Sequence, residues 1–209
     1  MNPAQHAPSS TLSSTVLARL IDALSRCADL DQAMAHLDEV LRATMPGAVV
    51  SVNLNATTAD DAANEVQLQR IWTSHPAEYP VTGRKRKQLT DWTATLFVRG
   101  QVIVGEGRAV LTQTFDDHAL MARLGLTAFI NVPVLQAGRA IGTFNVFGTR
   151  PAWHEDEVAA VRLLAVLAAQ WIKPSPALAN RFTEVAVRDA PSPIPALPSR
   201  RKAEETSAA

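Results

Sequence analysis

Leu124-Gly-Leu-Thr-Ala-Phe-Ile-Asn-Val-Pro-Val134 and Gly138-Arg-Ala-Ile-Gly-Thr-Phe-Asn-Val146 are two β-rich runs joined by Gln136-Ala-Gly138-Arg. A glycine-containing turn between two such runs is the pattern of a β-hairpin. Immediately upstream, Phe115-Asp-Asp-His-Ala-Leu-Met-Ala-Arg-Leu-Gly125 reads as a short helix. Asp116 is placed to cap it, Phe115 to staple onto Leu120, and Gly125 to end it. Asp117 then falls in the first turn, where negative charge suits the helix dipole.

Working outward, Val16, Leu17, Leu20, Ile21 and Leu24 recur at helical spacing behind Ser13 or Ser14. A second helix is predicted from Asp31, with Met34, Leu37, Val40, Leu41 and Met45 on one face and Pro46-Gly47 as its stop. Val50, Val52 and Leu54 then alternate with Ser51, Asn53 and Asn55, as in a half-buried strand. The next strand, Val66 to Trp72, has a phase conflict. If Val66 and Leu68 face the core, so do Arg70 and Trp72, and Ile71 is left outside. Either a bulge corrects the phase, or Arg70 points into a cavity as an anion partner.

The connection Thr73 to Leu89 carries Tyr79, Pro80 and the basic run Arg84-Lys-Arg-Lys87. That run reads as a solvated loop, with a lid over a negatively charged ligand as the sharper alternative. Asp91 to Gly100 is predicted as a helix capped by Thr90 or Asp91 and stopped at Gly100. Gln101 to Val104 is predicted as a short strand and Gly105-Glu-Gly107 as a loop. The last helix has Glu155, Asp156 and Glu157 in its first turn, an apolar face of Val158, Val161, Leu164, Ala168 and Trp171, and Pro174 as its stop. These elements predict an α+β domain around a mostly antiparallel sheet. Helices from both ends of the chain share one face and the loop-rich middle covers the other.

Composition limits the function. The hydrophobic content of 47% can build a core, and the formal net charge of zero gives no reason to expect a nucleic-acid partner. The longest apolar stretch, Val158 to Ile172, is too short for a membrane span and contains Arg162. One cysteine, Cys27, excludes a disulfide framework, and the N-terminus has no apolar signal core, so a cytoplasmic location is expected. Residues 1–11 are expected to be loose and 12–173 to form the domain. In 174–209, six of the thirteen prolines and little apolar surface predict a mostly disordered tail, with a transient helical turn at Arg181 to Asp189.

The order of these motifs resembles a GAF domain, the small-ligand-sensing fold related to PAS domains. The resemblance is carried by Ala33 and Leu37 in the leading helices, Pro46-Gly-Ala, the two hairpin runs, and Trp153-His-Glu-Asp-Glu157. It covers about residues 12–173. Tyr79-Pro-Val-Thr-Gly83-Arg-Lys, Thr90-Asp-Trp92, Phe115-Asp-Asp-His118 and Ile130-Asn-Val-Pro133 are similar to a group of short, free-standing bacterial GAF proteins. The resemblance implies a pocket and, through the first and last helices, a homodimer. It does not imply a cofactor or a reaction. The cysteines that GAF-fold methionine sulfoxide reductases use around the pocket have no counterpart, and neither does the thioether cysteine of phytochrome-like domains.

Eight side chains are candidates for chemistry. His118 stands in the first turn of the helix expected to border the cavity. It either serves a ligand as donor, acceptor or base, or bonds a nearby backbone carbonyl. Asp117 is its neighbour, although adjacent residues do not face each other on a helix. Asn131 and Asn145 lie in strands, where asparagine is unfavourable; they either read a polar ligand or bridge backbone at a bulge. Tyr79 and Trp92, with the Arg84–Lys87 loop that holds Lys85, could close over a small carboxylate or heteroaromatic acid, with Arg70 as an anion partner. No histidine pair has metal-ligand spacing, so no metal site is expected. The leading expectation is a sensory domain that binds a small polar or anionic metabolite. The alternatives are a hydrolase or isomerase using His118 as base with Asp117, and an interaction module using the proline-rich tail.

Overall fold

Two left-handed residues set the hairpin: Ala137 and Gly138 have φ of 49° and 73°. This is the type I′ geometry, whose twist matches the flanking strands. The strands it joins are β5 (Ala128–Gln136) and β6 (Arg139–Gly148), in a computed structural model that describes residues 12–81 and 84–179. The remaining strands are β1 (Val49–Asn55), β2 (Glu65–Thr73), β3 (Arg84–Gln88) and β4 (Ile103–Glu106). All neighbours pair antiparallel, in the order β3-β2-β1-β6-β5-β4. The expectations for residues 1–11, for 82–83 and for the tail beyond 179, the helical turn at 181–189 included, lie outside the described residues.

Helices α1 (Ser14–Leu24), α2 (Leu30–Thr44) and α6 (Glu155–Ala168) cover one face of the sheet. Ser13 caps α1, and Asp29 caps α2 by accepting from the Gln32 amide at 2.9 Å. Helix α2 therefore begins before the predicted Asp31. Leu20, Leu37, Leu41 and Leu164 are buried against Val50, Val52, Ile130, Phe144 and Val146. Each such side chain contributes about 1.5–3 kcal/mol of transfer free energy, so this layer is the main core.

The opposite face is covered by short elements. Helix α3 (Asp91–Thr93), capped by Thr90, runs into a π-helical turn at Ala94–Val98, and Gly100 follows with φ 62°. Helices α4 (Arg108–Thr114) and α5 (His118–Arg123) follow. Four sequence expectations are corrected on this side. Arg84-Lys-Arg-Lys87 is an edge strand and not a loop, because β2 offers it a free edge and each cation finds a carboxylate. Helix α4 stands where a loop was expected; only Leu111 in it is buried, too weak an apolar stripe to read. Gly105 lies within β4, because the Phe129 ring occupies the space where its Cβ would stand, 2.1 Å from Cε1. Asp116 does not cap α5; Asp117 occupies that position without a side-chain bond, while Asp116 accepts from Lys87.

Two irregularities set the phase of the sheet. On β2, Asn53 pairs with Arg70 and Val52 with Trp72, so Ile71 is the extra residue of a bulge. The bulge is present, and with it Trp72 packs on the helix-side core while Arg70 stays on the other face and lines a cavity. On β6, the register shift places Ile141 in the helix-side core, on the face opposite Asn145 and Phe147, which line the cavity.

Candidate functional site

Strand pairing lays out the face opposite the long helices in rows. Arg70 stands beside Asn53 and Thr143; Ser51 beside Asn145 and Asn131; Val49 beside Phe147 and Phe129. Directly opposed residues share a face, so one end of this floor is polar and the other aromatic. The expected half-buried β1 is thereby corrected: Ser51 and Asn55 are buried, and Asn53 is partly so. Above the floor, Tyr79, β3, Trp92 and the α4–α5 junction enclose a cavity of about 220 Å³. Ligand sites for drug-sized molecules run at roughly 300–1,000 Å³, so this one suits a smaller metabolite.

Among the expected residues, Arg70, Tyr79, Lys85, Trp92, Asp117 and Asn145 line the cavity. Asn131 lies directly behind it. Trp92 Nε1 donates to Asn131 Oδ1 at 3.0 Å, Asn131 Nδ2 to Asn145 Oδ1 at 2.8 Å, and Asn145 Nδ2 to the Ser51 carbonyl at 3.2 Å. The two asparagines thus satisfy each other and hold Trp92, which explains amides inside strands without a bulge. His118 is exposed and is not among the lining residues. Its expected place in the cavity is taken by Asp117, because α5 starts one residue later than a cap at Asp116 would set it. Ser51 and Asn53 line the cavity and were not singled out from sequence; Arg84 and Lys87, read there only as part of the basic run, line it too.

The electrostatics are graded. Lys85 stands 3.8 Å from Asp117, Lys87 donates to Asp116 at 2.6 Å, and Arg84 pairs with Asp61. The hydrogen bond and charge of Lys87 hold the Asp116 carboxyl below its usual value. Arg70 donates from Nη1 to the Pro80 carbonyl at 3.3 Å and lies 5.0 Å over the Tyr79 ring. Burial pulls the Arg70 guanidinium below the usual arginine value, against Asp117 and Tyr79; it stays charged all the same. Burial, then Asp117, pushes the Tyr79 phenol up to about 12, so it is a neutral donor. Two buried atoms of the lining side chains have no hydrogen-bond partner, Arg70 Nε and the Tyr79 hydroxyl, and Thr143 Oγ1 in the floor has none either. Among the described residues no three His, Cys, Asp or Glu side chains cluster as metal ligands, and no helix is long and apolar enough to cross a membrane.

A family model for the GAF domain matches residues 14–172. No curated protein matches the chain. Among solved structures, the chain is similar to the GAF domain from a phosphoenolpyruvate-protein phosphotransferase of Coxiella burnetii. The identity is 17%, over 79% of this chain and 95% of that one, with a TM-score of 0.56. It is similar to a free methionine-R-sulfoxide reductase from Neisseria meningitidis, solved in complex with its substrate, at 16% identity over 88% and 95% with a TM-score of 0.54. The chromophore-binding domain of a bacteriophytochrome from R. palustris is 15% identical over 76% and 60%, with a TM-score of 0.52. At these identities the likeness extends to the fold.

Proposed function

We propose, as the chain belongs to the GAF domain family, that it is a cytoplasmic sensory domain binding a small polar or anionic metabolite in the cavity under Trp92. The observation that carries this reading is the pair of unpartnered buried donors, Arg70 Nε and the Tyr79 hydroxyl. Buried polar groups are nearly always hydrogen-bonded, and leaving one unpaired costs about 1–3 kcal/mol. Both donors belong to side chains that line the cavity, and an acceptor group on a ligand removes both deficits once those side chains turn to meet it. Lys85, Asp117 and Asn145 are the other polar contacts, with Asn131 positioning Trp92. The hydrolase or isomerase reading needs His118 at the cavity, and His118 lies outside it. A cysteine-based reaction finds no support either, since Cys27, the single cysteine, packs on the helix-side core.

A thermal-shift screen of small carboxylates, phosphorylated metabolites and polar neutral compounds tests this reading. A true ligand at a hundredfold excess over its Kd adds about 2.7 kcal/mol, roughly 5–11 °C in Tm for a domain of this size. A screen in which no compound moves Tm, for a protein that is folded beforehand, removes the proposal.

The same reading includes a homodimer through the terminal helices. Helices α1 and α6 expose Ile21 at 48% and Val166 at 69%, apolar surface that a partner copy would cover. Sedimentation velocity is expected to return a dimer, and Val166→Glu a monomer with native circular dichroism. A native chain that sediments as a monomer at its highest soluble concentration counts against the dimer.

A further inference from the structure

The charges around the cavity indicate the class of ligand. Four cationic side chains line it: Arg70, Arg84, Lys85 and Lys87. Three carboxylates answer them, Asp61 to Arg84, Asp117 to Lys85 and Asp116 to Lys87. Four cations against three carboxylates leave a surplus of one positive charge; Asp117, 3.8 Å from Lys85, also acts on Arg70 through its charge, so the surplus is shared by Arg70 and Lys85. Among the described residues, no carboxylate lies within 4.0 Å of that guanidinium. Its Nη1 is held by Pro80, which leaves the edge bearing Nε unpartnered, and the unpartnered Tyr79 hydroxyl belongs to the ring beneath it. A guanidinium edge accepts a carboxylate through two parallel hydrogen bonds, and a phenol adds a third donor.

We propose that the cavity is built for a small monocarboxylate with a flat apolar body, its carboxylate on Arg70 and the Tyr79 hydroxyl and its body against Phe115, Phe147 and Met121. This deepens the small-molecule reading above and rests on it. The single surplus charge selects a monoanion. A dianion would bring a second negative charge into a site whose other cations are already neutralised, and a neutral ligand would leave the guanidinium unmatched. The apolar end is made by ring edges: Phe115 packs edge-on to Phe129 at 4.8 Å and to Phe147 at 5.4 Å, with Trp92 edge-on to Phe115 at 6.1 Å. Fixed aromatic walls at the end of the floor away from Arg70 orient an amphipathic acid in one direction, head toward β2.

Isothermal titration of the full chain with four probes tests the assignment. Phenylacetate carries head and body, phenylacetamide replaces the charge, acetate lacks the body, and phenylsuccinate adds a second carboxylate. Phenylacetate is expected to bind at least about tenfold more tightly than each of the others, the weight of one charge-assisted hydrogen bond. Arg70→Gln is expected to remove that preference and Tyr79→Phe to weaken it. Arg70→Lys, which keeps the charge and loses the planar edge, is expected to fall between native and Arg70→Gln. Each variant is first checked by thermal unfolding, and Arg70→Lys carries the test if Arg70→Gln does not fold. Equal binding of phenylacetamide, tighter binding of phenylsuccinate, or native affinity in a folded Arg70 variant overturns the assignment. If neutral or dianionic probes bind in a manner abolished by Trp92→Ala and indifferent to Arg70, the carboxylate assignment falls and the cavity remains a ligand site. If no probe binds and the metabolite screen is also silent, both fall.

Discussion

Replacing Gly142 by alanine is expected to cost about 3 kcal/mol or more, a fall in Tm of roughly 6–12 °C for a domain of this size. A Cβ at this position would stand 2.4 Å from the Asn53 carbonyl oxygen and 3.4 Å from Leu54 Cα. Both are backbone atoms of β1, held between β2 and β6, so no side-chain rotation relieves the collision. Relief requires moving β1, and Asn53 on β1 is the floor residue beside Arg70. The substitution is therefore expected to weaken ligand binding along with stability. Gly138→Ala is the control. Gly138 has φ 73° with no atom within 4 Å of the built Cβ, so only left-handed strain of about 1–2 kcal/mol is expected. Urea and thermal unfolding of both variants decide the matter. Equal stabilities would mean that β1 and β6 do not approach as closely as described.

The elements that read correctly are those whose cause is local. The glycine-containing turn at 137–138 and the two β-rich runs beside it placed the hairpin. Capping residues and apolar stripes placed α1, α2 and α6, although α2 starts at Leu30 instead of Asp31 and α6 gives way after Ala168 to a 3-10 turn that holds Trp171. The elements that did not read have distant causes. Cations 84–87 form a strand because Asp61, Glu65, Asp116 and Asp117 meet them, and nothing in the run itself announces those partners. Gly105 marked a loop by composition and sits in a strand because of Phe129, twenty-four residues away in the chain.

His118 and Asp117 show how a one-residue error moves a site. A helix turns about 100° per residue, so starting α5 after Asp117 instead of after Asp116 exchanges which of the two faces the cavity. The missed floor residues have a different explanation. Asparagine is disfavoured in strands, and that argument was applied to Asn131 and Asn145 but not to Asn53. The alternation of β1 looked like a solvent face, whereas a polar strand face can also border a cavity. Only the pairing of Asn53 with Arg70 distinguishes the two cases.

Asn131→Leu is expected to cost roughly 2–6 kcal/mol, although Asn131 does not line the cavity. Its carbonyl oxygen accepts from Trp92 and its amide donates to Asn145, both inside a side chain with 0% exposure. Leucine preserves the approximate volume and removes both bonds, leaving Trp92 Nε1 and Asn145 Oδ1 unpaired at about 1–3 kcal/mol each. Trp92 then loses its anchor, so the wall over the cavity loosens and affinity for a bound acid falls without any change in the residues that touch it. Asn145→Leu breaks the same chain one step further on. If the amides act as one unit, the double variant costs less than the sum of the singles, by about 0.5–3 kcal/mol. Tryptophan emission reports the second part of the claim. It is expected to shift to the red in Asn131→Leu, and the shift is expected to be absent when Trp92→Phe is the background. Strict additivity of the two leucine variants, together with unchanged emission, would mean that the asparagines are independent buried groups and that Trp92 is held by its apolar packing alone.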